Sequence, residues 1–365
     1  MLTLLTTENH MRSQVPLLCV AILSLVACSS GSPEQNQSPA QPDPGSHGAH
    51  VKLQPREDGY VLNESARRFA GVDKLTIRKS SSAFAGNTIV RPKFATSTAT
   101  KAMAALQETA QRFFLATNRT QGTTVDLAAL ATAKPKSGLP FIALALGDGA
   151  VAAGAFPEST GFLLRHAPSK PQHASRLKDS TEAVNVALSF IADRSLLSLQ
   201  SGEGLDLINV QSIYTNETDE RGFGQAERVA HHVVFGRTYK GVPVDGGMVL
   251  VALDSDGGVS TFHKAWRDII GESQVRLASE STIQSRRDPD KVAYLIEKQR
   301  TCVLTEDPDM GAIHQAAGVA CRFTYSDPLA GAALSRTMDE WVNAAEDPSI
   351  PLKGSKPAKP ASLSL

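Results

Sequence analysis

The 365-residue chain lacks several features that would point to a particular chemistry. Lysine plus arginine and aspartate plus glutamate both number 37, so the formal net charge is zero. A nucleic-acid binder needs a basic surplus to neutralise phosphates, and we do not expect that class. No G-x-S-x-G nucleophile elbow, H-E-x-x-H zinc motif or C-x-x-C redox motif occurs in the sequence. We therefore predict no catalytic residue, no metal and no small-molecule cofactor.

The apolar run nearest the N-terminus is too short to span a bilayer comfortably. It covers residues 15–27 and follows Arg12, an order of charge and apolar residues that is typical of a secretory signal. The run ends in Leu25-Val26-Ala27-Cys28, which resembles the lipobox of bacterial lipoproteins. The resemblance implies cleavage after Ala27 and attachment of lipid to the thiol and amine of Cys28, which would anchor the protein to a membrane.

The same resemblance implies where that membrane is. Ser29 rather than aspartate follows the cysteine, which by similarity to Gram-negative lipoproteins favours the outer membrane of the cell envelope. An ordinary signal peptide with a chance cysteine near its cleavage site is the alternative. Translation starts at Met1 or at Met11, and the second start gives the more typical signal.

Residues 28–50 are rich in serine, proline, glutamine and glycine and contain almost no apolar residue. Such a segment cannot bury a core, so we predict a disordered tether between the lipid and the folded body. His47 and His50 lie in it and could bind a transition metal weakly, but they are more simply explained as polar linker residues.

Four cysteines are present, and the predicted signal and lipobox account for two of them. Cys19 leaves with the signal and Cys28 takes the lipid, so Cys302 and Cys321 remain. Two thiols outside the cytoplasm most simply form a disulfide, which we predict here. A reactive thiol pair is the rival interpretation, and it is less favoured because no C-x-x-C spacing lowers a thiol pKa.

Apolar periodicity predicts two helices in the middle of the chain. The first covers residues 101–117 and the second residues 180–199. Asp179 and Glu182 match the capping-box pattern that opens a helix. The apolar faces are formed by Met103, Leu106, Ala110 and Phe113 in the first helix and by Ala183, Val184, Ala187, Leu188 and Ile191 in the second.

The C-terminal part is predicted to combine two helices with two strands. Asp288 can cap a helix that starts at Pro289. Strands are predicted at residues 302–304 and 318–325, before a final helix around residues 334–345. The side chains assigned to helix interiors are Val292, Leu295 and Ile296 in the first helix, and Leu334, Met338, Trp341, Val342 and Ala345 in the last.

Downstream of residue 199 the pattern changes to strands. Residues 229–236 alternate in a way that predicts a strand with both faces partly covered. Residues 248–254 and 259–264 are predicted as strands joined by a tight turn at Asp256-Gly257-Gly258. A helix followed by an antiparallel meander predicts an α+β fold, with the helix packed on one face of the sheet.

Two upstream segments are also predicted to contain strands. Residues 51–95 have the pattern of short strands and turns. Gly147-Asp148-Gly149 separates two apolar runs, which predicts a hairpin. A nucleotide-binding loop is disfavoured there because Ala152 takes the place of the third glycine in G-x-G-x-x-G.

Residues 229–259 resemble the propeptide domain of thermolysin-type and fungalysin-type metallopeptidases, which is related to the PepSY domains. That family shows a strand, a Gly-Val-Pro-Val step, a second strand and an Asp-x-x-Gly turn. With the upstream helix, the resemblance extends over about residues 180–270. The matching positions are Thr238, Tyr239, Gly241, Val242, Pro243, Val244, Gly247, Asp254, Asp256 and Gly257.

The resemblance implies a cystatin- or PepSY-like helix packed on an antiparallel sheet, with a second α+β portion on each side. Pro243 then interrupts the chain between two strands, with Val242 and Val244 on opposite sides. We take these three residues and Tyr239 as candidates for partner binding, although Tyr239 and Trp266 fit a core equally well. The predicted divisions are 1–27 (signal peptide), 28–50 (tether), 51–175 (N-terminal α+β region), 176–272 (propeptide-like domain), 273–350 (C-terminal α+β region with the disulfide) and 351–365 (flexible tail).

In zymogens, such a domain assists folding of its peptidase and occludes the active site. This chain has no H-E-x-x-H motif, so it contains no such peptidase of its own to inhibit. We therefore expect a non-catalytic envelope lipoprotein that binds a protein partner, with a secreted peptidase as the specific hypothesis. The alternatives are a structural or assembly lipoprotein and an enzyme with an unrecognised site.

Histidines and paired carboxylates do not form an evident metal site in the sequence. His231 and His232 are adjacent in a predicted strand and should point to opposite faces. His263 could approach His231 across the sheet, but without cysteine or carboxylate partners. Asp254 and Asp256 precede two glycines, which favours a turn over a calcium site or an acid–base pair.

Overall fold

The structure is a computed structural model that describes the chain in thirteen segments. They are residues 50–52, 59–78, 83–95, 99–121, 126–132, 141–146, 150–155, 162–166, 176–177, 179–216, 226–305, 318–326 and 337–347. The predictions for the signal, for Cys28, for nearly all of the tether and for the C-terminal tail lie outside these residues. No helix in the described segments is long and apolar enough to cross a membrane.

The described residues form helices and strands in a mixed α+β arrangement, which confirms the predicted fold class. The helices are α1 (Glu64–Ala70), α2 (Ala99–Gln121), α3 (Leu127–Thr132), α4 (Ser180–Asp193), α5 (Glu280–Ser285) and α6 (Pro289–Tyr294). The strands are β1 (His50–Lys52), β2 (Tyr60–Val61), β3 (Lys74–Leu75), β4 (Thr88–Phe94), β5 (Phe141–Ala145), β6 (Val151–Ala155), β7 (Phe162–Arg165), β8 (Glu203–Asn216), β9 (Ala226–Tyr239), β10 (Val242–Leu253), β11 (Val259–Ala265), β12 (Ile269–Arg276), β13 (Ile296–Thr305), β14 (Val319–Ser326) and β15 (Thr337–Asn343).

Eleven of the described strands belong to one hydrogen-bonded sheet. Its main path is β1-β8-β9-β10-β11-β7-β6-β5, and β13, β14 and β15 join it through β10. Every neighbouring pair is antiparallel except β10 and β13, which run parallel. The strands β4 and β12 form a second sheet and β2 and β3 a third. Strands from the three predicted α+β portions therefore meet in the same sheet.

Helix α4 forms as its sequence predicts. Asp179 is the N-cap, and its carboxylate accepts hydrogen bonds from the backbone N–H groups of Thr181 and Glu182. The five predicted apolar side chains of the stripe are fully buried, and the helix packs against β8, β9 and β10. The helix ends at Asp193, earlier than the predicted residue 199.

Helix α2 packs beside α4 on the same face of the sheet. Its predicted apolar residues are buried, and the Phe113 ring contacts those of Phe190 in α4 and Phe262 in β11. The two apolar runs on either side of residues 147–149 form β5 and β6, which pair antiparallel with Ala145 opposite Val151, as the predicted hairpin requires; the turn itself lies outside the described residues. These elements enclose the first and larger hydrophobic core.

The chain reverses between β9 and β10 at Lys240 and Gly241. Both residues have positive φ (47° and 79°), the conformation of the two-residue hairpin turn that matches strand twist. Pro243 lies inside β10 opposite Thr238, so the predicted interruption at this proline is wrong. Val242 and Val244 lie on the same face of β10, opposite Tyr239 and Arg237, and not on opposite sides as predicted. In a hairpin with a two-residue turn, the two residues that flank the turn form a hydrogen-bonded pair. The backbone nitrogen of the next residue, here Pro243, points away from the neighbouring strand β9, so a proline is tolerated there.

The real interruption of β10 comes at Asp245-Gly246-Gly247. Val244 lies opposite Arg237 and Met248 opposite the adjacent Gly236, so the three residues form a bulge. Val244 and the first bulge residue, Asp245, pair with β13, and after the bulge β10 pairs with β11. One strand thereby joins the two parts of the sheet.

A second hydrophobic core lies around β13, β14 and β15. Cys302 and Cys321 lie directly opposite each other in β13 and β14, are fully buried and form a disulfide. The two cysteines thus link neighbouring strands in the interior of this core.

Two predictions for the C-terminal part are wrong. Residues 337–343 form strand β15 rather than a helix, with Val342 buried and Trp341 turned to the other face. Asp288 does cap α6, but Val292 and Ile296 are 50% and 48% exposed. The helix ends at Tyr294 and β13 begins two residues later. The three predicted apolar positions therefore do not all lie on one helix, and they do not form one buried face.

A buried ion pair lies where the two cores meet. Arg237 donates a hydrogen bond from Nη2 to Oε1 of Glu203, and the two side chains are 0% and 1% exposed. The guanidinium carbon lies 4.9 Å from the ring centre of Phe94, in the second core, and 4.7 Å from that of Trp266, in the first. The backbone N–H of Gln200 also donates to Glu203, at 2.6 Å.

We predict that Glu203→Gln lowers the free energy of unfolding by about 3 kcal/mol or more, because it leaves the Arg237 charge buried without its counter-ion. Urea unfolding measures the change. The matched control is Glu64→Gln, which removes an exposed pair with Arg68 one turn away in α1 and should be close to neutral. Equal effects of the two variants would contradict the role given to the buried pair.

Candidate partner-binding surface

The central strands have two different faces. In β9 the side chains of Val233 and Phe235 point to the inner face and are fully buried against α2 and α4, whereas His232 and Val234 point to the outer face and are half-buried. The predicted alternation is therefore present, but only the inner face is completely covered.

The outer face carries a row of apolar side chains across four strands. Val234 in β9 lies opposite Leu250 in β10, which lies opposite His263 in β11, which lies opposite Leu163 in β7. Met248 is the next outward residue of β10. We call these five half-buried residues the outer surface; none of them belongs to either hydrophobic core.

The described helices that contact these strands lie on the opposite side. Helix α4 contacts β8, β9 and β10, and helix α2 contacts β6 and β7, through buried inner side chains. An antiparallel sheet with one face in water normally places polar residues on that face. An outward row of valine, leucine and methionine is instead typical of a surface that another molecule covers.

His263 gives the outer surface its polar group. Burial between neighbouring strands lowers the pKa of its imidazole, so the ring stays neutral at neutral pH. Its Nδ1 atom is buried and has no hydrogen-bond partner among the described residues. The row is therefore uncharged, and covering it with an apolar partner removes no ion from water.

The predicted partner-binding residues do not form this surface. Tyr239 is 1% exposed, Pro243 and Val244 are buried, and only Val242 is half-buried. Three of the four side chains are thus buried in the folded protein, and two of them, Tyr239 and Val244, belong to the second core. Trp266 is buried as well, which resolves its two interpretations in favour of the core.

The Tyr239 hydroxyl serves the fold instead. It donates a hydrogen bond to Glu272 of β12, and burial together with this bond raises its pKa to about 12. Glu272 also accepts a hydrogen bond from Nζ of Lys240 at 2.8 Å. The hairpin turn is thereby attached to the small β4–β12 sheet.

The histidines do not assemble into a metal site. His231 points inward and His232 outward, as predicted, but His263 also points outward, so its predicted approach to His231 is wrong. No group of three potential metal ligands occurs among the described residues. The Asp254 carboxylate accepts hydrogen bonds from the backbone N–H groups of Asp256 and Gly258, which confirms the turn.

One serine–histidine contact lies inside the protein. The Oγ atom of Ser212 is 3.3 Å from Nδ1 of His231, and both residues are fully buried. Burial lowers the pKa of His231 to about 4, with a smaller effect of the nearby Arg228 charge in the same direction. A substrate cannot reach this pair in the folded protein, so its geometry supports packing rather than catalysis.

A shallow groove of about 620 Å³ lies between α1 and the end of α4. Its lining is mostly charged or polar, with an exposed Glu64–Arg68 pair and a Ser65–Asp193 hydrogen bond of 3.3 Å. The groove is wide open, and it does not bring together groups suited to acid–base or nucleophilic chemistry. The outer surface is consequently the better candidate for function.

The family described as the Fungalysin/Thermolysin Propeptide Motif matches residues 230–265 of this chain. The chain therefore carries a propeptide-like motif, as the resemblance in the sequence indicated. The match covers residues 230–239 of β9, all of β10 and all of β11, and hence four of the five residues of the outer surface. Among curated proteins, no similar sequence was found.

We predict that His231 makes the folded protein less stable as the pH falls from about 6.5 to about 4. Its folded pKa lies below its ordinary value of 6.5, so the unfolded chain takes up a proton first, and the loss reaches about 3 kcal/mol. His231→Gln should reduce this pH dependence in urea unfolding. The control is His232→Gln on the outer face, which should retain it; identical profiles for both variants would contradict the assignment.

Proposed function

We propose that this protein is a non-catalytic, lipid-anchored protein of the cell envelope that binds a peptidase through the outer surface. The observation that carries the proposal is the coincidence of two independent features. The propeptide motif matches residues 230–265, and the same strands carry an apolar outward row that the described helices leave uncovered. Inhibition of the peptidase or assistance in its folding follows from such binding.

The arrangement of elements supports a cystatin- or PepSY-like domain around this motif. Helix α4 is followed in the chain by the antiparallel strands β8, β9, β10 and β11, and it packs on their inner face. The sheet is thus supported from one side by its own helices. None of the described helices that support the inner face lies on the other side.

The chemistry of the outer surface favours a protein partner over a small molecule. Its side chains form an extended row over β7, β9, β10 and β11 rather than a concave pocket, and a small ligand needs a pocket for most of its own surface to be buried. A few residues at the centre of a protein interface, from which water is excluded, contribute most of the binding free energy.

We predict that the protein carrying Cys28→Ser, and hence free of lipid, binds thermolysin-type peptidases with a micromolar or lower Kd. Leu250→Glu should weaken the binding by about tenfold or more, because it places a carboxylate in the apolar row. Calorimetry gives the Kd, and hydrolysis of a peptide substrate reports inhibition.

The matched control for Leu250→Glu is Ile270→Glu. Ile270 is 70% exposed and lies in β12, in a different sheet, so a carboxylate there should leave the Kd unchanged. Thermal unfolding verifies that both variants are folded. If neither binding nor inhibition is detected at micromolar concentrations, the tested peptidases are excluded as partners. That result would favour an assembly role in the envelope.

The lipid anchor has a separate test in intact cells. We expect Cys28→Ser to abolish incorporation of labelled fatty acid and to release the protein from membranes, because no other residue is expected to carry the lipid. Fractionation and labelling measure the two effects. Cys19→Ser, within the predicted signal, is the control and should leave both unchanged; a membrane-bound, unlabelled Cys28→Ser protein would contradict the anchor.

A further inference from the structure

Strand β5 forms one end of the large sheet. It pairs with β6 on one side, and no described strand pairs with it on the other. The other ends of this sheet among the described residues are β1, next to β8, and β15, next to β14. Each such strand offers a row of backbone donors and acceptors with which another strand can pair.

The hydrogen bonds of the β5–β6 hairpin show which groups of β5 point outward. The N–H of Leu146 donates to the carbonyl of Ala150 at 2.8 Å, so that pair is hydrogen-bonded across the hairpin. In an antiparallel ladder, hydrogen-bonded and non-hydrogen-bonded pairs alternate. The backbone groups of Phe141, Ala143 and Ala145 therefore point away from β6, toward the free edge.

The composition of β5 differs from that of the other two edges. Its sequence, FIALA, contains no charged residue and no proline, the two devices that usually prevent edge-to-edge pairing. Strand β1 contains Lys52 and β15 contains Asp339 and Glu340. Pairing of β1 or β15 with its own copy would bring like charges together, whereas pairing of β5 would not.

We propose that β5 pairs antiparallel with β5 of a second copy of this chain, which makes a two-fold symmetric dimer with a continuous sheet. Ala143 lies on the two-fold axis opposite its own copy, and Phe141 lies opposite Ala145. The outward N–H and carbonyl groups of these three residues then bond the same groups of the partner, as a hydrogen-bonded antiparallel pair requires. A symmetric contact of this kind closes on itself and stops at two copies.

The side chains at the centre of β5 permit this approach. Ala143 and Ala145 are exposed and small, and Leu144 is half-buried, so no bulky charged group separates the two strands. Directly opposed residues of an antiparallel pair lie on the same face of the sheet. The two outer surfaces of the dimer would therefore face the same direction, an arrangement that can bind a two-fold symmetric partner with both copies at once.

The test uses the full mature chain with Cys28→Ser, whose remaining cysteines form the disulfide in the second core. Light scattering after size-exclusion chromatography should show a dimer at micromolar concentrations. Ala143→Lys should make it monomeric, because two lysines would meet at the axis. The matched control is Ala128→Lys, at an exposed alanine of α3 outside the sheet, which should remain dimeric.

A second variant tests the register without weakening the pairing. The Cα atoms of a hydrogen-bonded antiparallel pair lie about 5.5 Å apart, within the range that a disulfide can link. Ala143→Cys should thus form a covalent dimer on mild oxidation, and Ala128→Cys should not. A monomer at all concentrations would overturn the proposal. So would a dimer that Ala143→Lys does not dissociate and Ala143→Cys does not cross-link.

Discussion

Arg237 places a positive charge in the interior of the sheet, and the two halves of the fold are arranged around that charge. It occupies the inner row of β9 between Phe235 of the first core and Tyr239 of the second. A buried guanidinium is tolerated only with a close counter-ion and further contacts. Glu203 supplies the counter-ion, and the rings of Trp266 and Phe94 supply the further contacts. The charge is thereby satisfied only when both cores are assembled.

The neighbouring backbone is adapted to the same place. Directly opposite Arg237, β10 reaches Val244 and then leaves the ladder in the three-residue bulge before it resumes beside β11. On the outer face, Gly236 lets the Arg78 side chain lie flat on the sheet, where it pairs with Asp206 and donates to the carbonyl of Arg237 at 2.8 Å. A Cβ atom at position 236 would collide with both of these side chains.

This arrangement is the reason why we propose the outer surface, rather than another part of the sheet, for binding. The inner face is used by α2, α4 and the buried ion pair, and the end of the outer face near Gly236 is covered by Arg78. Beyond it, the row from Val234 to Leu163 lies on the side of the sheet opposite α2 and α4. The propeptide motif lies in the strands that build this row.

The sequence predicted elements whose signals are local, and it failed where the outcome depends on pairing between distant strands. Asp179 and the stripe of α4 follow from capping and helical period. Residues 337–343 were assigned to a helix because Met338, Trp341, Val342 and Ala345 also fit a helical period; pairing with β14 decides for a strand. The outer surface could not be predicted, because it requires the pairing and register of β7 with β11, which are far apart in the chain.

The same limit applies to the four residues that the sequence predicts as a binding site. Tyr239, Pro243 and Val244 belong to a recognisable motif, but their burial depends on β13 packing beside the first half of β10, about sixty residues later in the chain. Within the motif, Tyr239 and Val244 lie on the inner face of the strands, whereas the surface proposed for binding lies on the outer face. The local sequence of β9 did show the alternation that separates the two faces, and only the structure shows which of them is left uncovered.

The most direct test of the outer surface is site-specific photo-cross-linking in cells of the native host. A photoreactive amino acid at position 250 should cross-link to a peptidase that mass spectrometry identifies, and the same residue at position 270 should not yield that product. No cross-link from position 250, or the same products from both positions, would contradict the assignment of this face as the partner-binding surface.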